Sequence, residues 1–368
     1  MKIAMLGCRG VPARYGGFET VCEEVGSRLV QRGHDVVVYC RNPGQELTTH
    51  AGMQLVNLPA VRAKAAETLS HTALSAAHAI RHRPDVAVMF NTANSPVLPL
   101  LRAAKIPVAL VSDGLEWRRA KWGRIAKGYS KLAERYAVRW PDRLIVDSRA
   151  VGRYFAEEYG ATSEYISYGA HLITAAGSDH VERLGFTRGG YNLVVARLEP
   201  ENNVDLIMEG YRQSHSPLPL VIVGGAPYAS SYRQHLQMLA TEDARVRMIG
   251  PMWDGEALDQ LYAHAALYLH GHSVGGTNPS LLRAMGAGRA VVAFDVDFNR
   301  EVLAECGRYF ADAPALAKAI DRLEQEPEVG AQLGPQARAR VATEYVWDDS
   351  VEKLEAMCLQ IRNGRGPA

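Results

Sequence analysis

Cysteine is scarce and unpatterned. Cys8, Cys22, Cys40, Cys306 and Cys358 are odd in number and share no ligand-like spacing. That argues against a disulfide framework or a zinc site and for a reducing compartment. Charge of one sign is lacking too: 41 Lys and Arg against 40 Asp and Glu leave a net charge of +1. The chain as a whole offers little to a polyanion, and no nucleic-acid partner is expected. No apolar run has the length that spans a bilayer. Met1-Lys2 leads straight into an apolar run, so no signal peptide is expected and the expected compartment is the cytoplasm. Internal repeats and low-complexity tracts are missing as well. The remaining picture is 368 residues, 47% hydrophobic and 22% charged. That is a soluble globular protein too long for one ordinary core, with about two domains expected.

The stretch that organises the chain is 267–285. A strand-like apolar run over 265–269 breaks into a turn holding Gly275, Gly276 and Thr277, and a helix begins near Ser280. Asn278 suits the N-cap and Pro279 the first helical turn. Two glycines let backbone approach a ligand, and the helix start offers unpaired amides at its positive end, a place for a phosphate. An ordinary capped helix after a strand accounts for the same residues.

The first half alternates strands and helices. Strands are expected near 2–7, 36–39, 54–58, 86–90, 108–111 and 144–146, with a helix over 18–32 (Phe18, Val21, Val25, Leu29 at helical spacing) and another over 65–82. This is one doubly wound parallel domain. A dinucleotide site fails on two counts: the first loop reads Gly7-Cys8-Arg9-Gly10, and the second strand ends in Cys40-Arg41 without an acid for a ribose. After a polar stretch over 175–190, a second sheet is expected from strands at 192–195, 220–223, 246–249, 265–269 and 290–294. The tail over 315–362 reads as helical, with Val351, Leu354, Met357, Cys358 and Ile361 as its apolar stripe.

Two blocks carry a resemblance. Gly10-Val11-Pro12-Ala13-Arg14-Tyr15-Gly16-Gly17-Phe18-Glu19 and Asp113-Gly114-Leu115-Glu116-Trp117-Arg118-Arg119-Ala120-Lys121-Trp122 are similar to signatures of a rhamnosyltransferase-like branch of the family-4 retaining glycosyltransferases. The resemblance implies a GT-B fold: two doubly wound Rossmann-like domains facing a cleft, with the C-terminal helix crossing back to the first. The domains would be 1–172 on the acceptor side and 186–345 for the nucleotide sugar, with 346–368 as the returning helix. It implies that Gly16 and Gly17 lie near the donor diphosphate and that Asp113 is the polar group beside the reacting centre. Many relatives carry histidine there, and a residue capping a strand-end turn explains Asp113 equally. In the turn after the 192–195 strand, the family has an arginine and, five residues on, a lysine on the diphosphate. Arg197 fits the first, and Asn202 stands in the second place. A surface cation at a strand end is the plainer account of Arg197. The family's E-x₇-E pair falls on Gly275 and Arg283; glycine is usual in this branch, but arginine is a departure, because a guanidinium accepts no hydroxyl hydrogen bond.

On this reading the donor side comprises Gly16, Gly17, Arg197, Asn202, Gly224, His272, Gly275, Gly276, Thr277, Asn278, Pro279, Ser280 and Arg283, with Asp113 and Arg197 as the catalytic pair. The implied reaction is retaining, metal-independent transfer, with L-rhamnose from dTDP-rhamnose as the donor and no cofactor. The acceptor would be a saccharide or a lipid-linked one in polysaccharide or cell-wall synthesis. A sugar-nucleotide 2-epimerase of the same architecture and a non-catalytic binding relative are the alternatives. Two decoys are set aside: Asp295-Val296-Asp297 sits after a strand in the second α/β half and reads as a turn, and His270 and His272 lack a third metal ligand.

Residues 117–140 have chemistry of their own. Arg124, Lys127, Lys131, Arg135 and Arg139 fall on one helical face, and Trp122, Ile125, Tyr129, Leu132, Tyr136 and Trp140 repeat on another. The aromatic stripe is expected to pack on the sheet. The basic one suits peripheral contact with an anionic membrane surface on its inner, cytoplasmic face, or a lipid-linked phosphate. Glu116, Trp117, Arg118, Lys121, Arg124 and Lys127 are accordingly placed on the acceptor and membrane side.

Overall fold

The computed structural model describes residues 1–13, 16–41, 47–61, 67–112, 114–118, 123–174, 177–225 and 231–364. They form two compact units, one holding 1–118, 123–168 and the chain from Trp347 onward, the other Gly169–Val346.

The first unit contains strands β1 (Lys2–Leu6), β2 (Asp35–Cys40), β3 (Thr49–His50), β4 (Met53–Asn57), β5 (Val86–Phe90), β6 (Val108–Ser112), β7 (Arg143–Val146) and β8 (Glu164–Tyr165). Its helices are α1 (Gly17–Gln31), α2 (Glu67–His82), α3 (Leu98–Ala103), α4 (Arg124–Arg139) and α5 (Arg149–Tyr159). The strands form one sheet in the order β3-β4-β2-β1-β5-β6-β7-β8, parallel except for the β3–β4 pair. Strand β5, Val-Ala-Val-Met-Phe, is buried along its whole length, as a parallel strand covered on both faces must be. Beyond the six expected strands lie β3 and β8, each of two residues. Runs that short carry no periodicity, so only pairing reveals them.

The last helix of the chain belongs to this unit. Its apolar stripe, Val351, Leu354, Met357, Cys358 and Ile361, is buried throughout. Ser350 Oγ donates to the Ser167 carbonyl (2.7 Å), and Glu355 takes Arg32 (2.8 Å) and His34 (2.6 Å) from the end of α1. Those partners hold the Glu355 carboxyl below its ordinary range. The helix crosses back to the first unit, as the resemblance implies.

The second unit begins with α6 (Asp179–Arg183), inside the stretch that reads as a polar connection. Gln260 fastens it, donating to Asp179 Oδ1 (2.9 Å) and accepting from the His180 amide (2.8 Å). Then come β9 (Asn192–Val195), α7 (Val204–Gln213), β10 (Leu220–Val223), α8 (Ser231–Glu242), β11 (Val246–Gly250), α9 (Gly255–His264), β12 (Leu267–His270), α10 (Pro279–Gly286), β13 (Ala290–Phe294), α11 (Asp297–Leu303), β14 (Arg308–Phe310), α12 (Ala313–Gln325) and α13 (Pro327–Glu344); α14 (Trp347–Arg362) is the returning helix. The sheet order is β11-β10-β9-β12-β13-β14, all parallel. The chain runs outward from β9 to β10 and β11, then returns to β12 on the other side. The gap between β9 and β12 is therefore a topological switch point, where ligands bind beyond the carboxyl ends of strands.

Candidate active site

The loops after β9, β10 and β12 meet at that switch point because their backbones touch. A methyl placed on Gly224 would come 1.8 Å from the Ala196 carbonyl oxygen, and one on Gly271 would come 2.3 Å from that of Asn202. Hydrogen bonds stitch the same loops. The Leu198 amide donates to Gly225 (3.0 Å), Ser273 donates its amide and its hydroxyl to the Glu201 carbonyl (2.9 Å each), and Asn203 Nδ2 donates to Gly271 (2.8 Å).

Arg197 stands half-buried two residues beyond β9, and its own carbonyl is the hub of the turn. It accepts from the Glu199 amide (2.9 Å) and from Asn202 Nδ2 (2.7 Å). Asn202 is only 1% exposed. The NH₂ group of Asn202 bonds within the turn and shapes the loop that presents Arg197.

Helix α10 begins as its residues dictate. Asn278 Oδ1 accepts from the Ser280 amide (3.0 Å) and from Ser280 Oγ (2.7 Å), and Pro279 occupies the first helical position. Gly276 and Thr277 are buried beneath the turn. Gly275 has φ of 148°, and open space surrounds the place where a side chain would sit. Only glycine takes that conformation freely. Under the turn, the rings of His270 and His272 stack with centroids 4.4 Å apart. Burial pushes His270 down to about 3 against a smaller opposite pull from Asn299, so the imidazole is neutral. Asn299 Nδ2 ties the His272 carbonyl (3.0 Å) to that of Phe294 (2.9 Å).

Arg283 is engaged within the unit. Nε donates to Asp259 Oδ1 (2.7 Å) and Nη2 to the Gly255 carbonyl (2.7 Å), both on α9, and the guanidinium lies 5.6 Å from the Tyr262 ring centre. The arginine at this position thus joins α10 to the start of α9.

In the first unit the glycine loop after β1 leads to α1, with Gly16 as the N-cap and Gly17 the first helical residue. Two of its amides already have partners on α1: Arg9 N donates to Glu19 Oε1 (2.8 Å) and Ala13 N to Glu23 Oε2 (2.6 Å). Asn94 holds the base of this loop, donating to the carbonyls of Gly7 (3.1 Å) and Phe90 (2.8 Å) while accepting from Thr72 (2.8 Å). Asp113 and Lys121 lie outside the described residues. Glu116, Trp117 and Arg118 form one short 3₁₀ turn. Trp117 Nε1 donates to Tyr154 OH (3.2 Å), and Lys131 Nζ stands 4.4 Å from the indole centre.

Lys131 also meets the buried Glu134, which accepts from Tyr154 (2.8 Å) and Tyr159 (2.7 Å). Arg124 and Lys127 are exposed on α4. Asn94 and Asn299 had no signal in the sequence, and Glu19 had none beyond its place in the 10–19 block, because each acts through carbonyls or amides that only the fold brings near.

Asp295 pairs with Arg300 (2.7 Å from Nη2) and Asp297 opens α11, so Asp-Val-Asp is a turn. Among the described residues no group of three or more His, Cys, Asp or Glu is placed to hold a metal ion. Nor is any helix among them long and apolar enough to cross a membrane.

Parts of the chain match known families. Residues 182–340 match the family described as Glycosyl transferases group 1, and residues 1–171 match a domain of unknown function, DUF1972. The UDP-N-acetylglucosamine–peptide N-acetylglucosaminyltransferase GtfA subunit of Streptococcus gordonii is 27% identical over 125 residues, which cover 33% of this chain and 24% of the relative. The match therefore spans about a quarter of that relative's length. Among solved structures, sucrose-phosphate synthase from Thermosynechococcus elongatus aligns with a TM-score of 0.84 at 20% identity over 99% of both chains. Anabaena HepE in complex with UDP-glucose aligns at 0.80 and 18% identity, over 97% of this chain and 99% of that one. At such identities the likeness is one of fold, and the fold is GT-B.

Proposed function

We propose a reaction on the premise that residues 182–340 belong to the glycosyl transferases group 1 family and that the chain has the GT-B fold. The chain is a glycosyltransferase acting on nucleotide sugars. The finer reading is retaining transfer of L-rhamnose from dTDP-rhamnose to a saccharide or lipid-linked acceptor, with Arg124 and Lys127 on the side that faces an anionic membrane. The observation that carries it is the switch point of the second sheet. There the turn bearing Arg197 is held against the loop that leads to α10 by Gly271 and the Ser273–Glu201 bonds, and against the loop after β10 by Gly224.

As the bond between sugar and diphosphate breaks, negative charge grows on the departing oxygen. A fixed guanidinium from Arg197 and the amide end of α10 stabilise that charge without reorganising at the moment of reaction. Gly275 leaves room for the sugar or phosphate beside the helix start. The Asn278 cap holds the first turn, and Arg283 holds the wall that α9 contributes. A UDP-sugar is the competing donor, favoured by the likeness to HepE in complex with UDP-glucose.

A thermal-shift panel of dTDP and UDP sugars separates the two readings, because a ligand that binds only the folded state raises apparent stability by mass action. The dTDP-rhamnose reading expects the larger shift with the dTDP series. A larger shift with UDP sugars replaces the donor, and no shift with either series overturns nucleotide-sugar binding.

A further inference from the structure

Helix α4 departs from the expectation that its apolar stripe packs on the sheet. Tyr129 does turn inward, donating to the Ala93 carbonyl (2.6 Å), and Tyr136 and Trp140 are half-buried and stacked with ring centres 6.4 Å apart. Ile125 and Leu132 do not follow them: they are 92% and 47% exposed. Two turns separate these two residues, so they stand in line, about 10 Å apart along the axis. Arg124, Lys127, Arg135 and Arg139 are exposed on the same outward arc and extend over about 22 Å of helix. The helix has a single acid, Glu134, and it is buried against Tyr154, Tyr159 and Lys131. The solvent side of α4 therefore presents apolar side chains and cations with no anion of its own among them.

We infer that this face docks on an anionic lipid bilayer, with Ile125 and Leu132 entering the headgroup–acyl boundary and the four cations resting at the lipid phosphates. The inference rests on the membrane-side reading given above and names the residues that carry it. The chemistry selects this occupant. A protein partner for an apolar patch would leave the spread of cations without a role. A purely electrostatic contact would have no use for an isoleucine held almost wholly in water. An interfacial helix needs both kinds of residue on one face. Each cation near an anionic surface adds several-fold to the affinity, and the gain fades with salt.

The test uses the full chain in flotation with vesicles of phosphatidylcholine alone and of phosphatidylcholine mixed with phosphatidylglycerol. Binding is expected to the mixed vesicles only, weakening as salt rises. The double variant Ile125→Glu/Leu132→Glu should lower that binding about tenfold or more. Its nucleotide-sugar thermal shift should stay unchanged and its unfolding midpoint should fall only slightly, because Ile125 is almost wholly exposed and Leu132 is half-exposed. The variant Arg124→Gln/Arg135→Gln/Arg139→Gln, which leaves only Lys127 of the four cations, should remove most of the salt dependence. Equal binding to both kinds of vesicle, or full binding by the Ile125/Leu132 variant, overturns the inference. So does sedimentation that shows self-association sensitive to Ile125→Glu with no vesicle binding. The donor panel reads the transferase proposal separately, so either can fail while the other stands.

Discussion

Each unit carries a glycine-bearing loop between a strand and a helix, and the two are built in opposite senses. In the first unit, the loop over 7–16 folds its amides onto acids of its own helix: Glu19, 5% exposed, takes Arg9 N, and Glu23 takes Ala13 N. Its N-cap, Gly16, has no side chain to bond the helix and sits at φ −168°, an extended conformation open to any residue. In the second unit, the loop over 271–278 leads into a helix with no acid in its first turn. The cap is the neutral amide of Asn278, and Gly275 is held at a positive φ with space around it. A loop with amides already bonded to carboxylates has fewer of them left for an anion, and a helix start with a neutral cap and no acid in its first turn favours one. Similar glycine content thus serves different ends, and the neighbouring acids decide which.

The largest effect that tests this contrast is expected at Arg197. Arg197→Ala should abolish the donor-induced thermal shift, a loss of about 3 kcal/mol in donor affinity. An unchanged shift would remove the guanidinium from the site and leave the α10 start without its partner.

Next comes the neutral imidazole beneath the second loop. His270 is pushed from 6.5 down to about 3 in the fold. Between those values the unfolded chain binds a proton that the native state refuses. The stabilisation is fully present above pH 6.5 and is lost as pH falls towards 3. At pH 5 this amounts to about 2 kcal/mol, which His270→Gln should remove from the drop in stability measured by denaturant titration between pH 7 and pH 5. His71 in the first unit, lowered to about 4 chiefly by burial, adds a step of the same sign that the variant leaves in place. A drop of full size in His270→Gln would mean that the imidazole is already charged in the native protein.

The smallest effects compare the two glycines directly. Gly275→Ala should cost about 1–2 kcal/mol in unfolding free energy, because alanine resists that φ, and should weaken donor binding about tenfold. Gly16→Ala should change stability by under about 0.5 kcal/mol, since its backbone is ordinary and the nearest atom to the added methyl is Glu19 Oε2 at 3.3 Å. Equal costs at the two positions would erase the distinction between the loops.

Much of this was legible in the residues because the information is local. Short, largely apolar runs marked β1, β2, β4, β5, β6 and β7 in one unit and β9 to β13 in the other. Asn278-Pro279 marked the start of α10, and the spacing of Val351, Leu354, Met357, Cys358 and Ile361 marked the buried face of α14. Strand β14, three residues long, escaped, as did helix α6 within its polar stretch. Helical spacing also set Ile125 and Leu132 apart from the basic row but could not show that the fold leaves them exposed. A stripe is visible in one dimension; its cover is another part of the chain.

By itself, the sequence determined two alternating α/β halves, a capped helix after a glycine turn, and a row of cations along α4 with the single acid Glu134 among them. These follow from side-chain size, charge and backbone freedom over a few neighbouring residues. Tertiary structure alone decided that β9 and β12 lie side by side, that Asn202 turns inward while Asn299 reaches His272, that Arg283 is held by Asp259, and that Glu19 fills the first loop. The reason is one of range: each of these outcomes depends on pairing or packing between residues whose meeting no local preference specifies, and closing the fold selects among the partners that local chemistry leaves open.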